Sequence, residues 1–147
     1  MNGADALAFC LTLARAHASL SQRLDEDLGA FHGLNFSDFT LLCQLMRADQ
    51  GRMPMERLAR TLGVSMSALV RRLAPLEKTG LIERVAGPAN DPRRHAALRA
   101  GGRQLMQAAV TTVEAHCKDA VQAIERERLS CARDALQALC KDNEPHA

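Results

Sequence analysis

The 147-residue sequence contains no tyrosine, no tryptophan and only four phenylalanines. A core without large aromatics must be filled by Leu, Ala, Val and Met, a composition that favours helices. Strong net charge is missing too, since 19 Lys and Arg stand against 17 Asp and Glu. That excludes a histone-like coat of positive charge, so any contact with nucleic acid must come from a local patch. The five cysteines, Cys10, Cys43, Cys117, Cys131 and Cys140, are odd in number and form no close pair. A disulfide framework is therefore not expected. No stretch approaches the length of a membrane span, and no basic region precedes an apolar run at the start of the chain. The expectation is a cytoplasmic protein with no membrane partner. No GxSxG, phosphate loop or HExxH occurs, and no Cys/His arrangement has zinc-knuckle spacing. His116 beside Cys117 comes nearest to a metal pair, but adjacent residues on a helix point about 100° apart. No metal, cofactor or enzymatic activity is expected.

What is present is organised around Met55 to Val85, MERLARTLGVSMSALVRRLAPLEKTGLIERV. Leu58, Ala59 and Leu62 share one face of a short helix that Gly63 ends. After a sharp turn, Ser65 is placed to cap a second helix, whose Met66, Leu69, Leu73 and Leu76 recur at spacings of three and four. That stripe faces inward. Ser67, Ala68, Arg71 and Lys78 then lie outward, with Arg72 at the edge. Small residues near the start of the helix allow close approach to base edges in a DNA groove, and the arginines can reach guanine edges or phosphates. A solvated amphipathic helix would explain the charge equally well, but the helix-turn-helix spacing favours the DNA reading. Pro75 is expected to bend the last turn.

The flanking segments follow the same logic. Residues 4–28 carry a seam of Ala6, Cys10, Leu13, His17, Leu20 and Leu24, widened by Leu7, Leu11, Ala14 and Ala18. Gly29 and FHGLN are read as a break, and Ser37 as the cap of a helix from Asp38 to about Ala48. Arg52 and Met53 suggest a short strand, with Pro54 opening the next helix. Leu81 to Val85 alternate as a strand, and the turn-rich run from Gly87 to Pro92 leads through Arg93, Arg94 and His95 to a return strand ending near Leu98. Strand, basic tip and strand make a wing. From Gly102, Met106, Val110, Val113, Cys117, Ala120 and Ile124 hold heptad spacing. Glu125 to Arg128 are read as a break before a last helix carrying Leu129, Ala132, Leu136 and Leu139, with fraying from Lys141. The terminal helices have more apolar surface than a small winged core can cover, which implies a homodimer. The predicted fold is mainly α with a small β-hairpin wing. It forms a single domain, with a winged helix-turn-helix core at 34–99 and dimerisation helices at 1–30 and 102–140.

The order of elements, the stretch LARTLGVSMSALVRRLAPLEKTGLIER, the wing residues Asp91 and Arg93 or Arg94, and the segment LRAGGRQL together resemble the MarR family of bacterial winged helix-turn-helix transcription regulators. The resemblance runs from about Leu34 to Leu105. It implies a homodimer built on the terminal helices, binding double-stranded DNA with a recognition helix in the major groove and a wing toward the minor groove. Ser65, Ser67 and Arg71 match recognition-helix positions, and Asp91 with a following arginine matches the wing pair, Asp91 supporting the tip. Two positions depart from the family pattern. Val70 stands where a Thr is usual, and Leu98-Arg99 replaces Leu-Thr after the wing, with an interval about one residue short.

A small-molecule effector is expected in the crevice between the first two helices and the winged core, where Arg15, His17, His32 and Phe36 can grip an aromatic or acidic compound. Some relatives sense peroxides through a cysteine near the start of the first helix. Cys10 invites that reading, although those sensors pair the cysteine with tyrosine hydroxyls and Cys10 falls on the apolar seam, where burial is expected. Two alternatives to a ligand-released regulator are thus a redox-sensing regulator and a winged-helix protein-interaction module that no longer binds DNA.

Overall fold

The computed structural model describes residues 1–141, so the fraying expected beyond Lys141 lies outside the described residues. Helix α1 (Gly3–His32) starts where the Asn2 side chain accepts from the Asp5 N–H, and ends at Gly33 in the left-handed region. It runs straight through Gly29, contrary to the expected break. One glycine costs a helix only about 1 kcal/mol, and burial of Leu24 and Leu28 in the turns just before it offsets that. The loop is accordingly short. Asn35, not Ser37, caps α2 (Phe36–Arg47), its side chain accepting from the Asp38 N–H at 2.7 Å.

After a single 3-10 turn comes β1 (Arg52–Pro54), with Pro54 as the N-cap of α3 (Met55–Leu62). Gly63 adopts φ 66°, and Ser65 accepts from the Ala68 N–H to open α4 (Met66–Lys78). Strands β2 (Ile82–Ala86) and β3 (Arg94–Leu98) form the wing, and the sheet order is β1-β3-β2, antiparallel throughout. Pro54 is tolerated because β1 is an edge strand. Helix α5 (Ala100–Val121) starts two residues before the expected Gly102. The break after it falls at 122–125, and α6 (Arg126–Lys141) begins within the charged run rather than after it.

Leu24, Leu41, Leu42, Leu45, Leu58, Leu69, Leu73, Ile82 and Met106 are fully buried, drawing α1 to α5 and β2 onto one core. Truncating any such leucine to alanine costs about 2 to 5 kcal/mol. Met66, expected inside, is 39% exposed at the start of α4. Helix α5 packs on α1 and α2 of its own chain, which buries Met106 and Val113. That part of the heptad seam is therefore intramolecular, while Ile124 lies beyond the helix and is exposed. Among the described residues, no element packs extensively on α6, and no helix is long and apolar enough to cross a membrane.

Candidate nucleic-acid interface

Helix α4 owes its position to its buried stripe, Leu69, Leu73 and Leu76. Two polar ties lock it further. Arg72 donates from Nη2 to the Ser37 carbonyl of α2 at 2.6 Å, and Arg84 of β2 donates from Nε to Glu77 Oε2 at 2.6 Å. Arg72 is thus turned toward α2, with its Nε buried and unpartnered, rather than free at the edge of the outer face. Ser67, Arg71 and Lys78 are exposed and Ala68 is half-buried. Ser67 and Arg71 are one helical turn apart, whereas Lys78 lies about 16 Å farther along the axis from Ser67, at 1.5 Å per residue. The small-then-basic face therefore exists, with Lys78 at its far end. The Ser65 hydroxyl is engaged as the cap and lies 3.4 Å from the Ser67 hydroxyl.

The wing is held by a side-chain clamp. Arg93 donates from Nε to Asp91 Oδ1 at 2.9 Å and from Nη2 to Asp91 Oδ2 at 2.8 Å, while its backbone N–H donates to Oδ1 at 3.0 Å. Asp bonding to a backbone N–H two residues on is an Asx turn. These bonds from the Arg93 side chain, and then from its backbone, hold the Asp91 carboxyl well below the usual carboxylate range. The same side-chain bond raises the Arg93 guanidinium. His95 stands behind the clamp, buried, with Nε2 3.1 Å from Asp91 Oδ2. Arg94 opens β3, exposed and without an ion-pair partner among the described residues. Gly87 makes the tight tip possible. Its N–H donates to the Arg93 carbonyl, and a Cβ there would collide with the carbonyl oxygens of Asp91 and Arg93.

Between the starts of α3 and α4 and the wing lies a cleft of about 350 Å³ lined by Met55, Glu56, Met66, Val70, Arg84, Arg93 and Arg94. Both candidate tip arginines thus share this cleft with α4, and the departing residue Val70 presents a methyl surface to the same space. Sequence reasoning missed His95 and Gly87. The Asp-Pro-Arg spacing carried the signal for the clamp, because an Asx turn selects the residue two positions after Asp, which is Arg93.

The expected effector residues separate into two places. A cleft of about 360 Å³ between α1, α2 and α4 is lined by His17, Ser21, Asp25, Phe36, Thr40 and Arg72 among others. Phe36 stacks on Phe39 there, and His17 Nε2 is 3.5 Å from the Ser21 hydroxyl. Nearby Asp38 is raised by burial, with Arg72 opposing. Arg15 does not line this cleft but is exposed on α1, and His32 instead bonds Thr112 Oγ1 of α5 at 2.8 Å. His116 likewise bonds Asp27, tying α5 to α1. Cys10, expected buried, is exposed in the single chain because the first half of α1 has no neighbour within it. Cys43 and Cys117 are half-buried, and burial raises both thiols.

The MarR family model matches residues 32–94. Among curated proteins none matches the chain in sequence. Solved structures share its fold over nearly the whole length. AbsC, a MarR family transcriptional regulator from Streptomyces coelicolor, is 22% identical with a TM-score of 0.81, covering 97% of this chain and 95% of its own. Sco3205 from the same organism, solved in complex with DNA, is 20% identical with a TM-score of 0.84, over 99% and 94%. CouR from Rhodococcus jostii RHA1, bound to p-coumaroyl-CoA, is 21% identical with a TM-score of 0.80, over 90% and 91%.

Proposed function

We propose that this chain, a MarR-family winged-helix protein by its pattern over residues 32–94 and by its fold, is a homodimeric transcription regulator that binds pseudo-palindromic operator DNA and is released by a small aromatic acid. The observation that carries the proposal is the placement of Ser67 and Arg71 on an exposed face of α4, with the clamped Arg93 and free Arg94 across one cleft from that helix. In this reading Arg71 reads a guanine edge in the major groove. Arg93, its guanidinium aimed by Asp91, enters the adjacent minor groove, and Arg94 and Lys78 meet phosphates. The Asx turn, which engages Arg93, supports Arg93 over Arg94 as the tip contact. The DNA-bound state of Sco3205 supports the reading by analogy of fold.

Release is assigned to the cleft between α1, α2 and α4. Its cation is Arg72 rather than Arg15, and Phe36 supplies the ring surface. A ligand carboxylate there would compete with the Ser37 carbonyl for the guanidinium that ties α4 to α2. The orientation of the recognition helix would then depend on occupancy. The ligand acts only through its different affinity for the DNA-compatible and incompatible forms.

One set of fluorescence-anisotropy titrations on a selected duplex tests both parts. Arg71→Ala should cost about 1 to 3 kcal/mol in specific binding. Arg93→Ala should weaken binding evenly across sequences and lower its salt dependence. Aryl carboxylates should dissociate the complex, and Arg72→Gln should make it insensitive to them. Full affinity and selectivity in the Arg71 variant would refute the placement of the reading face. Release by oxidants through Cys10, with none by aryl acids, would replace the ligand with a redox signal.

A further inference from the structure

A second basic cleft, of about 700 Å³, lies between the end of α2, strand β1, the start of α3 and the wing tip. Its walls carry Arg47, Arg52, Arg57, Arg93 and His95, with Asp49 and Asp91 as its only acids. Asp91 is taken up by Arg93. That leaves Arg47, Arg52 and Arg57 facing one carboxylate, Asp49, and none of the three forms an ion pair among the described residues. A second, independent feature points the same way. Arg52 spends Nη2 on the Ala86 carbonyl at 2.7 Å, but its Nε is buried with no acceptor, and His95 Nδ1 is buried with no partner. Unsatisfied buried polar groups are rare, and each marks strain, function or a missing partner. Here two sit in the wall of one cation-rich cavity.

We propose that this cleft is a phosphate-binding site. Guanidiniums pair bidentately with phosphate oxygens, and a phosphate would supply the acceptor that the Arg52 Nε lacks. Its oxygens are shared chemistry between two sources, the backbone of DNA flanking the operator core and a free phosphorylated compound. Either would be sensed at the tip, because the Asp91–Arg93 clamp and the His95 behind it form one wall of the cavity. The site rests on the operator-binding reading only for the first source.

The test is an NMR titration of the full chain, following the histidine ring and arginine Nε–H signals. The free arm adds sodium pyrophosphate without DNA. The backbone arm compares a selected duplex with the same duplex extended by several base pairs on each side. Saturable shifts at His95 and Arg52 with pyrophosphate, weakened about tenfold by Arg47→Gln, support the site with a free phosphate as ligand. Shifts seen only with the extended duplex, together with a lower salt slope for Arg47→Gln, support the site with DNA as the source. Arg47 is exposed at the end of α2, so its glutamine variant keeps the core intact. Unmoved His95 and Arg52 signals in both arms, or shifts unaltered by Arg47→Gln, overturn the proposal. Failure of the duplex to bind at all would count against the operator reading, while the pyrophosphate arm would still decide the cleft.

Discussion

At the scale of single residues, chemistry at the interface is set by what each charged group already holds. Arg71 holds nothing among the described residues, Arg72 holds Ser37, and Arg93 holds Asp91. Sequence spacing put all three near one surface, and it separated Arg72 only as an edge residue. It was blind to the Ser37 carbonyl because that partner lies 35 positions away. The Asp91–Arg93 clamp gives a pH prediction with a definite sign. The folded Asp91 value lies below the ordinary carboxylate value of about 3.9. The clamp therefore contributes fully above that ordinary value and is lost only as pH falls through the lower folded value. Carboxyl-carbon NMR should show Asp91 still ionised at the ordinary aspartate value of about 3.9. Titration of Asp91 at that ordinary value would mean that the clamp does not form in solution.

At the scale of elements, caps and stripes were legible and glycine was ambiguous. The Ser65 cap, the Gly63 turn and the Leu69–Leu73–Leu76 stripe stand where periodicity put them. Gly29 misled because a glycine inside a helix and a glycine after one look alike until the burial of Leu28 is known. The true stop is Gly33, whose φ of 66° suits a glycine. Ser37 could serve as the cap on sequence grounds, but Asn35, two residues earlier, takes the role, since both side chains can accept a backbone N–H. In the wing, Gly87 is required by close approach. Gly87→Ala should cost about 1 to 3 kcal/mol, confined to the tip: hydrogen exchange should quicken around 87–93 while α4 stays protected, and operator affinity should fall with it. Unchanged exchange at the tip would show that the backbone of the wing has room the close carbonyls deny.

At the scale of the whole molecule, one chain leaves surface that asks for another. Leu7, Phe9 and Leu11 on α1 are 60%, 47% and 56% exposed, and Leu136 and Leu139 of α6 are exposed as well. Apolar surface of this extent on two terminal helices supports the proposed dimer. Periodicity revealed the excess but not its allocation, because a heptad seam reads the same whether its partner is α1 of the same chain or another copy. For α5 the partner is largely internal, so the proposed dimer rests on α1 and α6. Leu136→Glu should give monomer or aggregate with the winged core folded, and Leu13→Glu should act likewise, as sedimentation would show. A wild-type chain that sediments as monomer at micromolar concentration would remove the basis for a dimer. Two-fold symmetry then fixes the DNA: half-sites related by inversion, with centres about one helical turn apart. The most direct measurement is therefore selection of bound sequences from random genomic fragments at moderate salt. An enriched inverted repeat with that spacing, lost on Arg71→Ala, is the expected result; enrichment of no inverted repeat would contradict a dimeric operator-reading protein.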